Sequence, residues 1–334
     1  MIENYLFNGI FFIVFTLFII IIASNSHLLH GSYLWEYSKP VFYLVWRVYM
    51  RFEWAVMKVM YKICTSWLFR NSKVIRHFFG RLLQIAGNGE VYTLGECYKI
   101  LDTLYRDYPH VYVAIRICPC RQAMQYYDKD ISNITDLCFV FSDKPGKKKH
   151  MEYTMYISLD KAKKLLKKFD REGFVHTMFG GCAKMIDGSI NLSICNCMRR
   201  RDGKGSGCIP LTLMVEHDAF FYEKPHNLAI IDQEKCKGAE ECGKCIPYCQ
   251  FDARVIDETN GKIKIINDKC YGCGLCLTHC PEGANTLKFL PENKVQFYQN
   301  LFKNIRKKYK KLPPEKHPKI RVESFPYNYA LKSD

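Results

Sequence analysis

The chain has 334 residues, which is enough for two compact domains with additional segments. Its 17 cysteines are odd in number and many stand in CxC and CxxC pairs, which argues against a secreted disulfide framework and favours metal binding. The formal net charge is +16, and much of the excess lies in residues 303–321, where nine Lys and Arg residues accompany a single acidic residue.

Residues 5–24 form a long apolar stretch. The nineteen residues from Tyr5 to Ala23 carry no charge, and a helix of that length spans about 29 Å, enough to cross the hydrocarbon core of a bilayer. A cleaved signal peptide has a basic start and a shorter apolar part, whereas Glu3 is the only charged side chain before this stretch. We therefore predict a single uncleaved transmembrane helix over residues 5–24.

Basic residues follow this apolar stretch, and none precedes it. Lys39, Arg47 and Arg51 lie on its carboxyl side, so the positive-inside rule predicts that the rest of the chain faces the cytoplasm. Reducing conditions in that compartment keep thiolate ligands unoxidised. The predicted localisation is therefore the membrane, with a single span and cytoplasmic soluble domains.

Residues 40–86 form a predicted amphipathic segment, with helical periodicity over residues 41–69. Four basic residues fall on one narrow face of that helix: Arg47, Arg51, Lys58 and Lys62. All the tryptophans of the chain lie in or just before it: Trp35, Trp46, Trp54 and Trp67. A basic stripe beside an aromatic face is typical of a helix at the membrane interface. The alternative is a helix docked in a partner's groove or on the chain's own core.

Residues 87–225 alternate between predicted helices and strands, which indicates an α+β domain. Thr93 and Glu96 form a capping-box pattern at the start of the first helix. An alternating, β-branched stretch predicts the first strand. The predicted elements are helices over residues 94–105 and 159–171 and strands over residues 111–117 and 174–176.

Two CxC pairs lie at opposite ends of this domain, each after an apolar run. Packing alone explains such pairs poorly, so we predict a third metal centre with the ligands Cys118, Cys120, Cys195 and Cys197. An iron–sulfur cluster, zinc and a metal-free thiol cluster are the alternatives, and Cys138, Cys182 and Cys208 are substitute ligands. His176 is a candidate ligand or a hydrogen-bonded strand histidine. Arg121 is either a hydrogen-bond donor to a cluster or a surface arginine.

Several catalytic signatures are absent from the sequence. There is no GxGxxG motif after a predicted strand, no Walker-type loop, no GxSxG and no HExxH motif. The sequence therefore predicts neither a nicotinamide nor a flavin site, and no hydride chemistry is expected in this chain.

Two cysteine runs give the most specific pattern in the chain. The second run is followed by a proline: Cys270-x2-Cys273-x2-Cys276-x3-Cys280-Pro281. The first run consists of Cys236, Cys242, Cys245 and Cys249, and its last three cysteines each precede their counterparts by 31 positions. This internal repeat divides the region into residues 226–259 and 261–290. Four thiolates at the spacing of the second run favour an iron–sulfur cubane, whereas zinc sites separate their CxxC pairs by a dozen or more residues.

The segment from Asp232 to Leu287 resembles a bacterial-type ferredoxin domain with two [4Fe-4S] clusters. In that family the first three cysteines of each run bind one cluster and the fourth crosses to the other. For one cluster the resemblance implies the ligands Cys236, Cys242, Cys245 and Cys280. For the second cluster it implies Cys270, Cys273, Cys276 and Cys249.

A wider resemblance covers roughly residues 87–290. Its motifs are Cys118-x-Cys120-Arg121, Gly173-Phe-Val-His176 and Ile194-Cys-Asn-Cys197. They are similar to the cysteine domain that precedes ferredoxin repeats in certain larger ferredoxin-domain proteins of anaerobic bacteria and archaea. That family implies no settled activity for the domain.

The first run departs from the ferredoxin pattern in two ways. Five residues, including Glu240 and Glu241, separate Cys236 from Cys242 where the pattern has two, and Gln250 stands where proline is usual. Negative charge beside a cluster disfavours its reduced form, so the first cluster is expected to have the lower potential. The alternative is that the insertion keeps Cys236 off the iron.

These features predict a membrane-anchored iron–sulfur protein of α+β fold that passes single electrons between a low-potential donor and a membrane oxidoreductase. Redox partner proteins, the membrane and an additional membrane subunit are the expected partners. One alternative is a reductase subunit with a catalytic cluster in the middle domain. Another is a nucleic-acid-binding protein with structural clusters, whose basic tail at residues 303–334 contacts phosphates, although the anchor argues against it. An electron-transfer protein or oxidoreductase subunit is expected rather than a stand-alone enzyme.

Overall fold

The computed structural model describes residues 57–77, 89–107, 112–127, 136–142, 154–179, 191–199, 207–217 and 222–290. Four features discussed above lie outside these ranges: the predicted anchor at residues 5–24, residues 40–56 and 78–86 of the amphipathic segment, the basic tail at residues 303–334, and Cys182. The described residues contain both helices and strands, which is consistent with the predicted α+β class.

A six-stranded antiparallel sheet organises residues 89–222, which we call the sheet region. Its strands are Gly89–Tyr92 (β1), Tyr112–Ile117 (β2), Asp136–Ser142 (β3), Thr154–Tyr156 (β4), Val175–Phe179 (β5) and Asn191–Cys197 (β6). They lie in the order β1-β5-β6-β3-β2-β4 across the sheet, and all of these pairings are antiparallel. The middle of the sheet is therefore built from β6 and β3, and the CxC pair lies at the carboxyl end of β6.

Helices accompany this sheet at Trp67–Asn71 (α1), Leu94–Asp107 (α2), Pro119–Tyr127 (α3), Leu159–Arg171 (α4) and Ile209–His217 (α5). The predicted capping box starts α2: the backbone N of Thr93 donates to Glu96 Oε2 at 2.8 Å, and the backbone N of Glu96 donates to the Thr93 hydroxyl at 3.2 Å. Helix α4 has its predicted bounds. Its buried face consists of Ala162, Leu165, Leu166, Phe169 and Asp170.

Residues 57–77 pack on the chain's own core, which is one of the two alternatives for the predicted amphipathic segment. Cys64 and Phe69 are buried in a cluster that includes side chains of α3 and α5. The continuous helix predicted over residues 41–69 is interrupted at Ser66, because Ser66 caps a new helix by accepting a hydrogen bond from the backbone N of Phe69 at 3.3 Å. The described part of the segment therefore belongs to the fold.

Residues 223–290 form a second unit, which we call the cysteine-loop region because both cysteine runs lie in it. Its strands are Asn227–Ile231 (β7), Arg254–Ile256 (β8), Ile263–Ile265 (β9) and Asn285–Phe289 (β10), and its helices include Gly238–Glu241 (α6) and Leu275–Thr278 (α7). Strands β7 and β10 pair antiparallel, and so do β8 and β9. The cysteines lie mostly in the loops between these short elements.

The sheet region and the cysteine-loop region share one hydrophobic cluster. Val175 of β5 and Leu211 of α5 lie in the same group of buried side chains as Phe251 and Leu275. Burial of apolar surface on both sides stabilises the contact between the regions. The cysteine loops are therefore held against the sheet rather than joined to it by a flexible linker.

Gln250 adds a polar contact between the two regions and explains its departure from the ferredoxin pattern. This residue is 4% exposed. Its Oε1 accepts from the backbone N of Arg199 at 3.0 Å, and its Nε2 donates to the carbonyl of Gly173 at 3.2 Å. A proline at this position has no side-chain amide and cannot serve either backbone group. The glutamine therefore provides two hydrogen bonds between the regions that a proline could not make.

The membrane localisation predicted from the sequence is wrong. A helix needs about 20 predominantly apolar residues to cross a bilayer, and among the residues that the structure describes no helix is both long and apolar enough. The longest helix with stated bounds, α2, has 14 residues. Residues 5–24, on which the prediction rested, lie outside the described ranges.

Replacing Gln250 by alanine should lower the free energy of unfolding by about 1–3 kcal/mol, because a buried N–H and a buried C=O lose their partner. Urea denaturation of the full chain under anaerobic conditions, followed by circular dichroism, measures this change.

Gln233→Ala is the matched control. Gln233 is exposed, and its Nε2 donates to the carbonyl of Ile263 at 2.9 Å within the cysteine-loop region alone. Its loss should cost no more than about 0.5 kcal/mol. Equal effects of the two substitutions would show that the interface contact of Gln250 contributes nothing.

Candidate metal centres

A first cavity, with about 320 Å³ of empty space, is lined by Cys236, Cys242, Cys245 and Cys280. The first three cysteines flank α6, and Cys280 follows α7 in the other run. These are the four residues that the ferredoxin resemblance implies for one cluster. Despite the three-residue insertion, the structure places Cys236 on the wall of this cavity.

A second cavity, with about 350 Å³ of empty space, is lined by Cys249, Cys270, Cys273 and Cys276. Cys249 comes from the first run, whereas the other three belong to the second run. The fourth cysteine of each run therefore lies in the cavity of the opposite run. All eight cysteines of the two runs are brought together in two groups of four.

The fourth cysteine of each run has the same backbone contact. The backbone N of Ala253 donates to Cys249 Sγ at 3.3 Å, and the backbone N of Ala284 donates to Cys280 Sγ at 3.3 Å. These alanines occupy equivalent positions in the two repeats. Amide donors to cysteine sulfur favour the ionised ligand and tune the potential of a bound cluster.

Gly272 allows a strand to pass directly against the second cavity. Its φ is +60°, and an added Cβ would lie 2.1 Å from the carbonyl oxygen of Asn227 in β7. A side chain at this position is excluded both by the backbone conformation and by the contact. The glycine between Cys270 and Cys273 is therefore required by the tight turn of the chain around the cavity.

Burial raises the pKa of three of the thiols that line the two cavities. It raises the pKa of Cys276 to about 11, although Arg254 opposes the shift. Burial also raises the pKa of Cys273 well above its ordinary value and raises the pKa of Cys245. Buried thiols of this kind are poor nucleophiles, and a metal displaces their protons when it binds. The environment suits metal ligands better than thiol catalysis.

Arg254 lies on the walls of both cavities. It is 5% exposed, and its Nη1 donates to Cys245 Sγ at 3.5 Å. Its Nη2 is buried and has no hydrogen-bond partner among the described residues. An unsatisfied buried donor costs free energy, whereas an iron–sulfur cluster offers sulfide acceptors and negative charge. The residues present therefore fit an iron–sulfur cluster in each cavity.

The two carboxylates of the insertion face the solvent. Glu240 and Glu241 lie in α6, and both are exposed. Water and salt screen exposed charges. Solvent screening therefore weakens any lowering of the first cluster's potential by these carboxylates.

The cysteines predicted for a third centre lie close together, and the structure adds Cys208 to them. The Cys120 thiol lies near the thiols of Cys118 and Cys208, and the Cys208 thiol also lies near that of Cys197. Cys195 lies two residues before Cys197 on the same face of β6. The sequence analysis named Cys208 only as a substitute ligand, because a basic loop separates it from the CxC pair.

Three further residues singled out in the sequence have defined positions. Cys138 lies in β3, which pairs with β6. His176 is 1% exposed and its Nδ1 lies 2.7 Å from Asn196 Oδ1, so it is a hydrogen-bonded strand histidine. Arg121 is 1% exposed, with its guanidinium 5.4 Å from the centre of the Phe174 ring. The interpretation of Arg121 as a surface arginine is therefore wrong.

The arrangement of cysteines differs from that of a single-ion site. Among the described residues no three Cys, His, Asp or Glu side chains meet closely enough to hold one metal ion, and no described cysteine is in a disulfide. An iron–sulfur cluster is bound across its own width, so its ligands surround a space instead of meeting at a point. The two cysteine-lined cavities have this arrangement.

Residues 223–284 match the 4Fe-4S dicluster domain family. The cofactors of this region are therefore two [4Fe-4S] clusters, and the region is an iron–sulfur electron-transfer domain. The match covers the cysteine-loop region and does not extend to the cysteines of the sheet region. No solved structure matches the chain.

Known relatives match short segments. Pyruvate synthase subunit PorD of Methanocaldococcus jannaschii is 42% identical over 57 residues, which is 17% of this chain and 62% of PorD. The archaeal-type glutamate synthase (NADPH) of Dehalococcoides mccartyi is 37% identical over 60 residues, 18% of this chain and 11% of the synthase. Translation initiation factor RLI1 of Chaetomium thermophilum is 36% identical over 76 residues, 21% of this chain and 12% of RLI1. The chain thus spans about a tenth of the length of the two larger relatives.

Cys273→Ser should remove one cubane, with about four irons and the corresponding EPR signal of the reduced protein, because Cys273 lines only the second cavity. Cys242→Ser, the matched change in the first cavity, should remove the other cubane. Iron and acid-labile sulfide analysis of anaerobically purified protein, together with EPR, measures both losses.

Cys97→Ser is the control for loss of a buried cysteine, since Cys97 is 0% exposed and packs in the sheet region. This variant should keep both signals. A Cys273 or Cys242 variant that also kept both signals would contradict the ligand sets.

Arg254→Met should lower the midpoint potential of at least one cluster by about 60 mV, a tenfold change in a one-electron equilibrium. Removing a buried positive charge beside a cluster disfavours the reduced, more negative state. Spectroelectrochemical titration of the full chain measures the shift.

Lys264→Met removes the same charge from a side chain that is 54% exposed. Solvent screening should keep its shift below about 10 mV. Unchanged potentials in Arg254→Met would show that the guanidinium does not act on the clusters.

Proposed function

We propose that the chain passes single electrons through two [4Fe-4S] clusters, between a low-potential electron donor and an oxidoreductase. The observation that carries the proposal is the pair of adjacent four-cysteine cavities with Arg254 on the walls of both. When bound, clusters of this type supply reversible one-electron transfer over a wide range of potentials.

The proposed ligands of the first cluster are Cys236, Cys242, Cys245 and Cys280. Those of the second cluster are Cys270, Cys273, Cys276 and Cys249. Their support is that each set lines one cavity and that the backbone amides of Ala253 and Ala284 contact the two crossing cysteines.

The remaining side chains around the cavities keep water out and hold the ligands. Phe251 and Tyr271 stack with their ring centres 4.7 Å apart, and both line the second cavity. A dry, rigid surrounding limits reorganisation when the charge of the site changes. The chain's own contribution to electron transfer is thus burial, amide donors and the guanidinium of Arg254.

The proposed partners are redox proteins. Pyruvate synthase subunit PorD and the archaeal-type glutamate synthase bear the names of redox enzymes, which supports an oxidoreductase as the partner of this chain. The additional membrane subunit expected from the sequence is not part of the proposal, because the localisation on which it depended is contradicted.

A second candidate function is a structural role for the clusters. The match to translation initiation factor RLI1 favours it, because that relative is named for a role in translation and not for redox chemistry. In this case the clusters would stabilise the fold without changing oxidation state during function.

Reductive titration separates the two candidates. Anaerobically purified full-length protein should take up about one electron for each of its two cubanes and should return them to an oxidised one-electron acceptor in stopped-flow mixing. Cys273→Ser should take up about one electron fewer than the parent and serves as the matched comparison.

A protein that contains both clusters but takes up no electron down to about −700 mV would contradict electron transfer and support the structural role. Irreversible loss of the clusters on reduction would have the same meaning.

A further inference from the structure

Five cysteines of the sheet region converge from four parts of the fold. Cys118 follows β2, Cys120 lies in the first turn of α3, Cys195 and Cys197 lie in β6, and Cys208 immediately precedes α5. Cys118, Cys197 and Cys208 are buried, and the other two are half-buried. This group lies outside the dicluster domain, and neither cavity described above includes it.

Four of these thiols are neighbours. The Cys120 thiol lies near those of Cys118 and Cys208, and the Cys208 thiol lies near that of Cys197. The backbone N of Cys208 also donates to the carbonyl of Met198 at 3.1 Å, which holds the start of α5 beside the end of β6. We call Cys118, Cys120, Cys197 and Cys208 the thiol group.

A hydroxyl group lies beside the thiol group, because Thr177 Oγ1 is 3.3 Å from Cys197 Sγ. A bound metal releases the protons of its thiol ligands, and a neighbouring hydroxyl can then donate to the resulting thiolate.

The surroundings of the thiol group favour an anionic occupant. Arg121 directly follows Cys120 and is 1% exposed, so a buried positively charged residue lies in the same turn of α3 as a cysteine of the thiol group. Thr212 lies one turn beyond Cys208 on the same face of α5, and its buried hydroxyl has no hydrogen-bond partner among the described residues. Iron-bound thiolates and sulfides supply both the negative charge and hydrogen-bond acceptors.

Aromatic side chains connect the thiol group to the second cavity. Tyr222 lies in the same hydrophobic cluster as Cys197 and Cys208. Its ring makes edge contacts with Phe251 at 6.4 Å and with Tyr271 at 6.0 Å, and both of these residues line the second cavity. The thiol group therefore adjoins the region where a cubane is bound.

We propose that Cys118, Cys120, Cys197 and Cys208 bind a third iron–sulfur cluster next to the second cubane. Compared with the set predicted from the sequence, Cys208 takes the place of Cys195. A single zinc ion fits less well, because no three described ligand side chains meet at one point. Because it lies beside Tyr222, Phe251 and Tyr271, this centre would add a third redox group next to the two cubanes.

Iron counting on the full chain tests the proposal. Two cubanes account for about eight irons, so the parent protein should contain roughly ten to twelve, depending on whether the third cluster has two irons or four. The double variant Cys197→Ser/Cys208→Ser should fall to about eight irons and lose one set of Mössbauer signals while the EPR signals of both reduced cubanes persist.

Cys195→Ser and Cys97→Ser are the matched controls, and both should retain the iron content of the parent. A parent protein with only about eight irons overturns the proposal, even if the double variant fails to fold. Zinc in place of the additional iron also overturns it, as does loss of iron in Cys195→Ser but not in Cys208→Ser. Absence of both cubanes would instead contradict the proposed function, so the two failures are distinguishable.

Discussion

Exchange of the fourth cysteine between the two runs is the constraint on which the cysteine-loop region depends. Cys249 lies in the cavity of the second run and Cys280 in that of the first, so neither run can complete a cavity alone. The pairing of β7 with β10 and of β8 with β9 brings the two runs together. Because the unfolded chain has no preformed site, the free energy of cluster binding contributes directly to folding of both halves.

The sheet region takes part in this arrangement. It shares a hydrophobic cluster with the cysteine loops, and Gln250 joins the turn after Cys249 to two of its backbone groups. At the other end of the contact, Thr278 donates to Asp170 Oδ2 at 2.6 Å, just before Cys280. Both crossing cysteines are therefore positioned by residues whose partners lie in the sheet region, so the two regions form one structural unit around the clusters.

Local patterns in the sequence predicted a large part of this structure. The capping box of Thr93 and Glu96 and the bounds of α4 depend on neighbouring residues, and both were correct. The cysteine spacing predicted cubanes, and the ferredoxin resemblance supplied the crossing. The contacts of Gln250, the burial of Arg121 and the position of Arg254 between two cavities could not be predicted, because their partners are distant in sequence. The prediction of a membrane localisation was wrong because a run of apolar residues indicates only the length and polarity of a segment, and not where the protein is located.

The most direct test of the crossed arrangement is the Mössbauer and EPR spectrum of Cys249→Ser, compared with those of Cys242→Ser and Cys270→Ser. Cys249 shares a run with Cys242 but a cavity with Cys270. The account predicts that Cys249→Ser perturbs the same cluster as Cys270→Ser and leaves intact the cluster that Cys242→Ser perturbs. A Cys249→Ser spectrum that matched Cys242→Ser instead would contradict it.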